Sequence, residues 1–261
     1  MKKMITSLIF IFFMFSCSEI NFHNNNERKI IENSIENRIN LVFEKNWISF
    51  YQTKNKDFSI IEVDLTKVWI SFWWIDIDKS KDFSKFKRYY AKDFYNKIWK
   101  EKILFLINWQ FFNQNKNPTT LSFPLKSDWK ILNDYIDNDF TKRTFIIDNF
   151  WNAKILDWYK KEFLNNTDYK ELIVAFSPEV KARKNAKIWR TYIWLLSSKK
   201  VVFFIAKNKN QEEINRIIWY YWIKENNIIM MDWWPSSQFA YFKKQFYWAW
   251  EVPQVFVIYE K

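Results

Sequence analysis

The residues able to do chemistry in this chain are carboxylates, amides, hydroxyls and arginines, because no thiol or imidazole occurs after residue 23. Cys17 is the only cysteine and His23 the only histidine, and both lie near the start. Ser-His-Asp and Cys-His chemistry are therefore excluded from the body, as is a zinc site built on His or Cys. The strongest candidate is Asp232, which follows the apolar run Ile228, Ile229, Met230, Met231 and so should sit at the C-terminal end of a buried strand. Trp233, Trp234, Pro235, Ser236 and Ser237 come directly after it. Asn108 ends another apolar run and has the side chain to bind sugar hydroxyls. Arg190, followed by Thr191, has the fork geometry that grips a phosphate with two parallel hydrogen bonds. Glu179 precedes Arg190 closely enough in sequence to be considered as a general base. Asp and Asn are plentiful enough for a Ca²⁺ site, but no spacing specifies one. No cofactor is implied.

The elements that must position these groups read as strands more than helices. Strand-like runs fall at 59–64, 68–75, 103–107, 144–148, 171–176, 191–196, 201–206, 227–231 and 254–259. Helical patterns cover 83–98 and 211–221, the second carrying Ile214, Ile217, Ile218 and Tyr221 on one stripe. No linker divides the body. The expectation is a single α+β domain over 46–261, with mixed, mainly antiparallel sheets flanked by a few helices. Residues 18–45 are polar, and Ile30, Ile31, Ile35 and Ile39 give a weak helical spacing; they read as a tether leading into a short helix.

The first 17 residues read as a lipoprotein-type signal peptide. Lys2 and Lys3 precede an apolar stretch over 4–15, which is shorter than the about 20 residues needed to span a bilayer. Ser16-Cys17 then resembles a lipobox, so Cys17 is the expected site of acylation and of a membrane anchor in the cell envelope; without acylation the protein would be secreted. Lys and Arg number 41 against 29 Asp and Glu, a surplus of 12 that favours anionic partners. For an exported chain those are phosphorylated glycans or anionic lipid, not nucleic acid.

The composition is otherwise abnormal. A chain of 261 residues should carry roughly 18 glycines at about 7%, yet there is none, and there are 17 tryptophans. Those tryptophans follow Asx or sit between turn residues, as in Asn46-Trp47, Asp128-Trp129, Phe150-Trp151-Asn152 and Asp232-Trp233-Trp234. Asx-Gly pairs are ordinary turn chemistry, whereas Asx-Trp pairs are not. We read most of the 17 as glycine, through UGA codons that some bacterial lineages translate as Gly and another code translates as Trp.

With Gly in place of Trp, Asn108-Trp109-Gln110-Phe111-Phe112 resembles the Asn-Gly-x-Phe-Phe element of the phosphodiester glycosidase family. Arg190-Thr191-Tyr192-Ile193-Trp194 resembles its Arg-Thr-x-Ile-Gly strand, and Met231-Asp232-Trp233-Trp234-Pro235-Ser236-Ser237 its Leu-Asp-Gly-Gly-Gly-Ser-Ser loop. The turn at Tyr221-Trp222-Ile223 and the closing Val252-Pro253-Gln254 follow in the same order. Pro235 replaces the loop's third Gly, and Gln254 stands where relatives often have Asn. The resemblance implies hydrolysis of a sugar-1-phosphodiester in a surface polysaccharide. Asp232, Arg190 and Glu179 would be catalytic, and Asn108, Thr191, Trp233, Trp234, Ser236 and Ser237 would bind substrate. A glycan-binding lipoprotein that keeps the fold without catalysis is the alternative, and a purely structural lipoprotein is a third.

Overall fold

The computed structural model describes residues 39–261, apart from 46, 80–83, 99–102, 109–110, 137–140, 179, 181–183, 221–226, 233–236, 238, 242–244 and 247–249, and apart from the side chains of 39, 79, 218–220, 241 and 245–246. Two antiparallel sheets dominate it. The large one runs, in spatial order, β1 (Ile39–Lys45), β2 (Ile48–Thr53), β3 (Phe58–Asp64), β14 (Lys200–Lys209), β13 (Ile188–Ser197), β15 (Ile228–Asp232), β12 (Tyr169–Phe176), β10 (Lys142–Asp148) and β11 (Ala153–Leu156). A hairpin of β8 (Leu125–Ser127) and β9 (Lys130–Asn133) joins it through β12. The small sheet runs β17 (Gln245–Phe246), β16 (Phe239–Tyr241), β7 (Ile103–Ile107), β18 (Val255–Glu260) and β4 (Val68–Trp73). A ribbon of β5 (Ile77–Lys79) and β6 (Ser84–Phe86) stands apart from both.

Alternation along the strands explains why the sheets stack. Phe203, Ile205, Ile193, Leu195, Phe145 and Ile173 from the large sheet meet Phe72, Phe105, Ile107, Phe256 and Ile258 from the small one in a single buried cluster. Phe72 and Phe256 approach edge-on at 4.6 Å, and Phe203 and Phe256 at 5.3 Å. Burying each such ring stabilises the fold by about 1.5–3 kcal/mol. The outer face of the small sheet is also apolar. Leu106, Ala240, Val255 and Val257 there pack on Ala91, Phe94 and Ile98 in and beside the helix Ala91–Lys97.

A second helix, Gln211–Tyr220, starts where Asn210 and Glu213 cap each other. Each side chain accepts a hydrogen bond of 2.9 Å from the other residue's backbone N–H. Its apolar stripe buries Ile214 and Ile217.

All nine expected strands are present, with their ends displaced by up to three residues. The class is mainly β, however, not the expected α+β. The expected helix over 83–98 shrinks to Ala91–Lys97, because Ser84–Phe86 pairs with Ile77–Lys79 instead. Residues 39–45, read as part of a tether and short helix, form edge strand β1 on β2. Ile39, Leu41 and Phe43 also satisfy an apolar period of two, and the available backbone edge of β2 decides between the periods. Cys17 lies outside the described residues.

Among the buried residues is a carboxyl within the large sheet. Glu171 in β12 is fully buried; its Oε1 accepts hydrogen bonds from the Asp128 N–H (3.2 Å) and Ser71 Oγ (3.3 Å). Burial pushes its carboxyl up to about 8 from about 4.5, against the opposing pull of Ser127, the Asp128 N–H and Lys170. The folded chain therefore keeps a proton at neutral pH that the unfolded chain has lost. This group's contribution to stability is full below about 4.5 and falls as pH rises to about 8. In melting curves across that window, Glu171→Gln should be markedly less pH-dependent than the parent; parallel curves would contradict the assignment.

Candidate active site

Asp232 reaches the space between the sheets because β15 carries a bulge. Ile193 pairs with Ile229 and Tyr192 with Met230, but the next residue, Thr191, pairs with Asp232, which leaves Met231 as the extra residue. Ile229 and Met231 both point into the inter-sheet core. Without the bulge Asp232 would share the outward face of Met230. With it, the carboxylate turns inward, and Asp232 Oδ2 accepts a hydrogen bond of 3.0 Å from Asn108 Nδ2. Asn108 directly follows β7 of the facing sheet, so one hydrogen bond ties the ends of strands from both sheets. Both partners are buried, Asn108 at 0% and Asp232 at 1% exposure.

Three more buried polar side chains stand at the same end. Thr191 is the register partner of Asp232 and shares the inward face of Ile193 and Leu195. Ile107, the residue before Asn108, pairs with Phe239 on one side and Phe256 on the other. Ser237 and Gln254 lie two residues ahead of those partners, at the same end of the small sheet, and both are fully buried. The Thr191 and Ser237 hydroxyls have no hydrogen-bond partner among the described residues. Buried hydroxyls are normally satisfied, so that of Thr191, across the ladder from a buried carboxylate, marks a place suited to a polar ligand. Gln254, noted in the sequence only as a departure from a motif, thus becomes part of the site. Its signal was the strand that follows it.

Arg190 does not join this group. It pairs with Ala206 while Thr191 pairs with Ile205, and neighbouring residues of a strand face opposite ways. Ile205 lies in the inter-sheet core, whereas Tyr192, on the side of Arg190, packs on Phe204 and donates its hydroxyl to Gln211 Oε1 at 3.2 Å. The Arg190 guanidinium is fully buried on this outer side, where Nη1 donates to the carbonyls of Ala186 and Lys209. Burial lowers its pKa, and the neighbouring Tyr192 works the other way. The pleat thus sets Arg190 on the opposite face of β13 from Thr191. Glu179, Trp233, Trp234 and Ser236 lie outside the described residues. Among the described residues, no three His, Cys, Asp or Glu side chains gather as a metal site would need.

This architecture is similar to a known one. The chain superposes on the zebrafish N-acetylglucosamine-1-phosphodiester alpha-N-acetylglucosaminidase catalytic domain, auto-inhibited by its pro-peptide, with a TM-score of 0.53 at 12% identity. The match covers 94% of this chain and 96% of that domain. A hypothetical protein from Synechocystis also matches, with a TM-score of 0.47 at 8% identity over 86% of this chain and 62% of that one. No family model and no curated sequence matches. The fold is thus phosphodiester glycosidase-like.

Proposed function

We propose that this protein is a hydrolase of sugar-1-phosphodiesters in a surface polysaccharide or related glycan, with its reaction centre at Asp232. The observation that carries this reading is the buried Asn108–Asp232 hydrogen bond between facing strand ends, at the place where the sequence resembles the family's Asp-Gly-Gly loop. The sugar–oxygen bond at the anomeric carbon breaks, its electron pair leaves with the phosphate oxygen, and a phosphomonoester departs. Water supplies the new oxygen and loses a proton. Phosphate is already a good leaving group, so the demand for a protonating acid is smaller than in ordinary glycosidases.

Asp232 acts as nucleophile or as electrostatic stabiliser of the positive charge that grows at the anomeric carbon. Asn108 orients it. The Thr191 and Ser237 hydroxyls and Gln254 read the sugar. With glycine at 233 and 234, that loop would offer backbone N–H groups to the phosphate. Ser236 would add a hydroxyl, and Glu179 would take the proton from water. Arg190 contributes by joining the start of β13 to the end of β14 rather than by touching the phosphate.

The rival is a glycan-binding protein without catalysis. Were the tryptophans genuine, exposed indoles suited to sugar stacking, such as Trp158 at 53% and Trp250 at 51% exposure, would favour it.

In protein carrying glycine at 233 and 234, Asp232→Asn should lower release of free sugar from a model sugar-1-phosphodiester by on the order of 10²–10³-fold. Thr191→Val, which keeps shape and loses the hydroxyl, should raise KM. Undiminished turnover in Asp232→Asn would remove that residue from the reaction, and retention of the ligand without consumption by the parent would favour the binding protein. The chain is further proposed to be exported and anchored in the cell envelope through acylated Cys17. Labelled palmitate should enter the native protein and not Cys17→Ser; an unlabelled native protein would contradict the anchor.

A further inference from the structure

We infer that residues 129 and 151 are glycine in the protein its own cell makes, because the backbone at both positions has a conformation that hairpins reserve for glycine. The stereochemistry of these two hairpins is independent of the activity proposed for Asp232. Five described residues have positive φ: Lys56, Asp128, Trp129, Trp151 and Asn208. Asp and Asn tolerate the left-handed region through local hydrogen bonding, while a bulky side chain there is an outlier.

Trp129 closes a two-residue hairpin. Ser127 pairs with Lys130, so only Asp128 and Trp129 join β8 to β9, with φ of 46° and 62°. Positive φ at both central residues defines a type I′ turn, whose preferred sequences are Asn-Gly and Asp-Gly. The hairpin is fixed from both sides: the Asp128 N–H donates to buried Glu171, and the Trp129 N–H donates to the Lys170 carbonyl at 3.1 Å.

Trp151 closes the β10–β11 hairpin in another glycine-demanding way. Its N–H donates to the Asp148 carbonyl at 3.0 Å, and the Asp148 N–H donates to the Asn152 carbonyl at 3.0 Å. That leaves a three-residue loop ending in a left-handed residue, Trp151 at φ 60°. Asp148 Oδ1 also accepts from the Phe150 and Asn152 N–H groups, each at 2.9 Å, so the conformation is set by neighbours and not by the indole. The two indoles do make contacts, with the Lys170 ammonium 4.7 Å from the Trp129 ring and 4.6 Å from that of Trp151. Trp129 is half exposed and its Nε1 donates to Asn149 Oδ1 at 2.8 Å, while Trp151 stacks on Trp69 at 6.2 Å and packs against the core, so these contacts offset part of what the left-handed backbone costs.

Independent hairpins of two different types thus demand glycine at two tryptophans in a chain with 17 Trp and no Gly. The same substitution then extends to Trp233 and Trp234 beside Asp232. The test is peptide mass spectrometry on the protein purified from its native source, on peptide 144–154 and on a peptide covering 125–133. Both should have the mass for glycine; tryptophan at either position overturns the inference there. In recombinant protein with the sequence as written, Trp129→Gly and Trp151→Gly should each raise Tm by about 2–8 °C. A fall in Tm on either change would show that the indole is integral to its hairpin, and would overturn the inference for that position.

Discussion

Burying the Asp232 carboxylate is the constraint around which this molecule is arranged. An isolated buried carboxylate costs several kcal/mol, and a hydrogen bond to a charged group returns about 1.5–3 kcal/mol. The Asn108 amide supplies one such bond from the opposite sheet. To hold it there, β7 must end at the same level as β15, and β15 must carry an extra residue to turn Asp232 inward. The two sheets, their aromatic packing and the helix behind β7 fix that level. The pair is the proposed reaction centre.

The same geometry separates two groups that the linear sequence sets side by side. Arg190 and Thr191 are adjacent, and both belong to one family-like motif, yet the pleat sends them to opposite faces. Thr191 meets Asp232 across the ladder, while Arg190 turns to backbone carbonyls beyond the sheet. Arg190 keeps its value as a support: it joins the start of β13 to the end of β14, next to the strand that carries Thr191.

Much of the fold was legible in the sequence, for physical reasons that differ from element to element. The central strands are continuous apolar runs, so 201–206 and 254–259 could be placed from hydrophobicity alone. Asp232 and Asn108 were legible as strand-end polar residues after such runs. Short edge strands were not, because their side chains are half exposed and their pairing is a backbone matter. Ile39 through Lys45 fits either period, and the neighbouring β2 settles it. The bulge at Met231 left no mark in the sequence, since its cause is the partner strand. The positive φ at Trp129 and Trp151 was foreshadowed by Asx neighbours, and the hairpin registers gave that hint a stereochemical basis.

The most direct measurement of the central claim is turnover of a sugar-1-phosphodiester in ¹⁸O-labelled water by the protein with glycine at 233 and 234. Attack at the anomeric carbon places the label in the released sugar and none in the phosphomonoester. Label in the phosphate would mean that the phosphorus–oxygen bond breaks, and the assignment of Asp232 to chemistry at the anomeric carbon would be wrong.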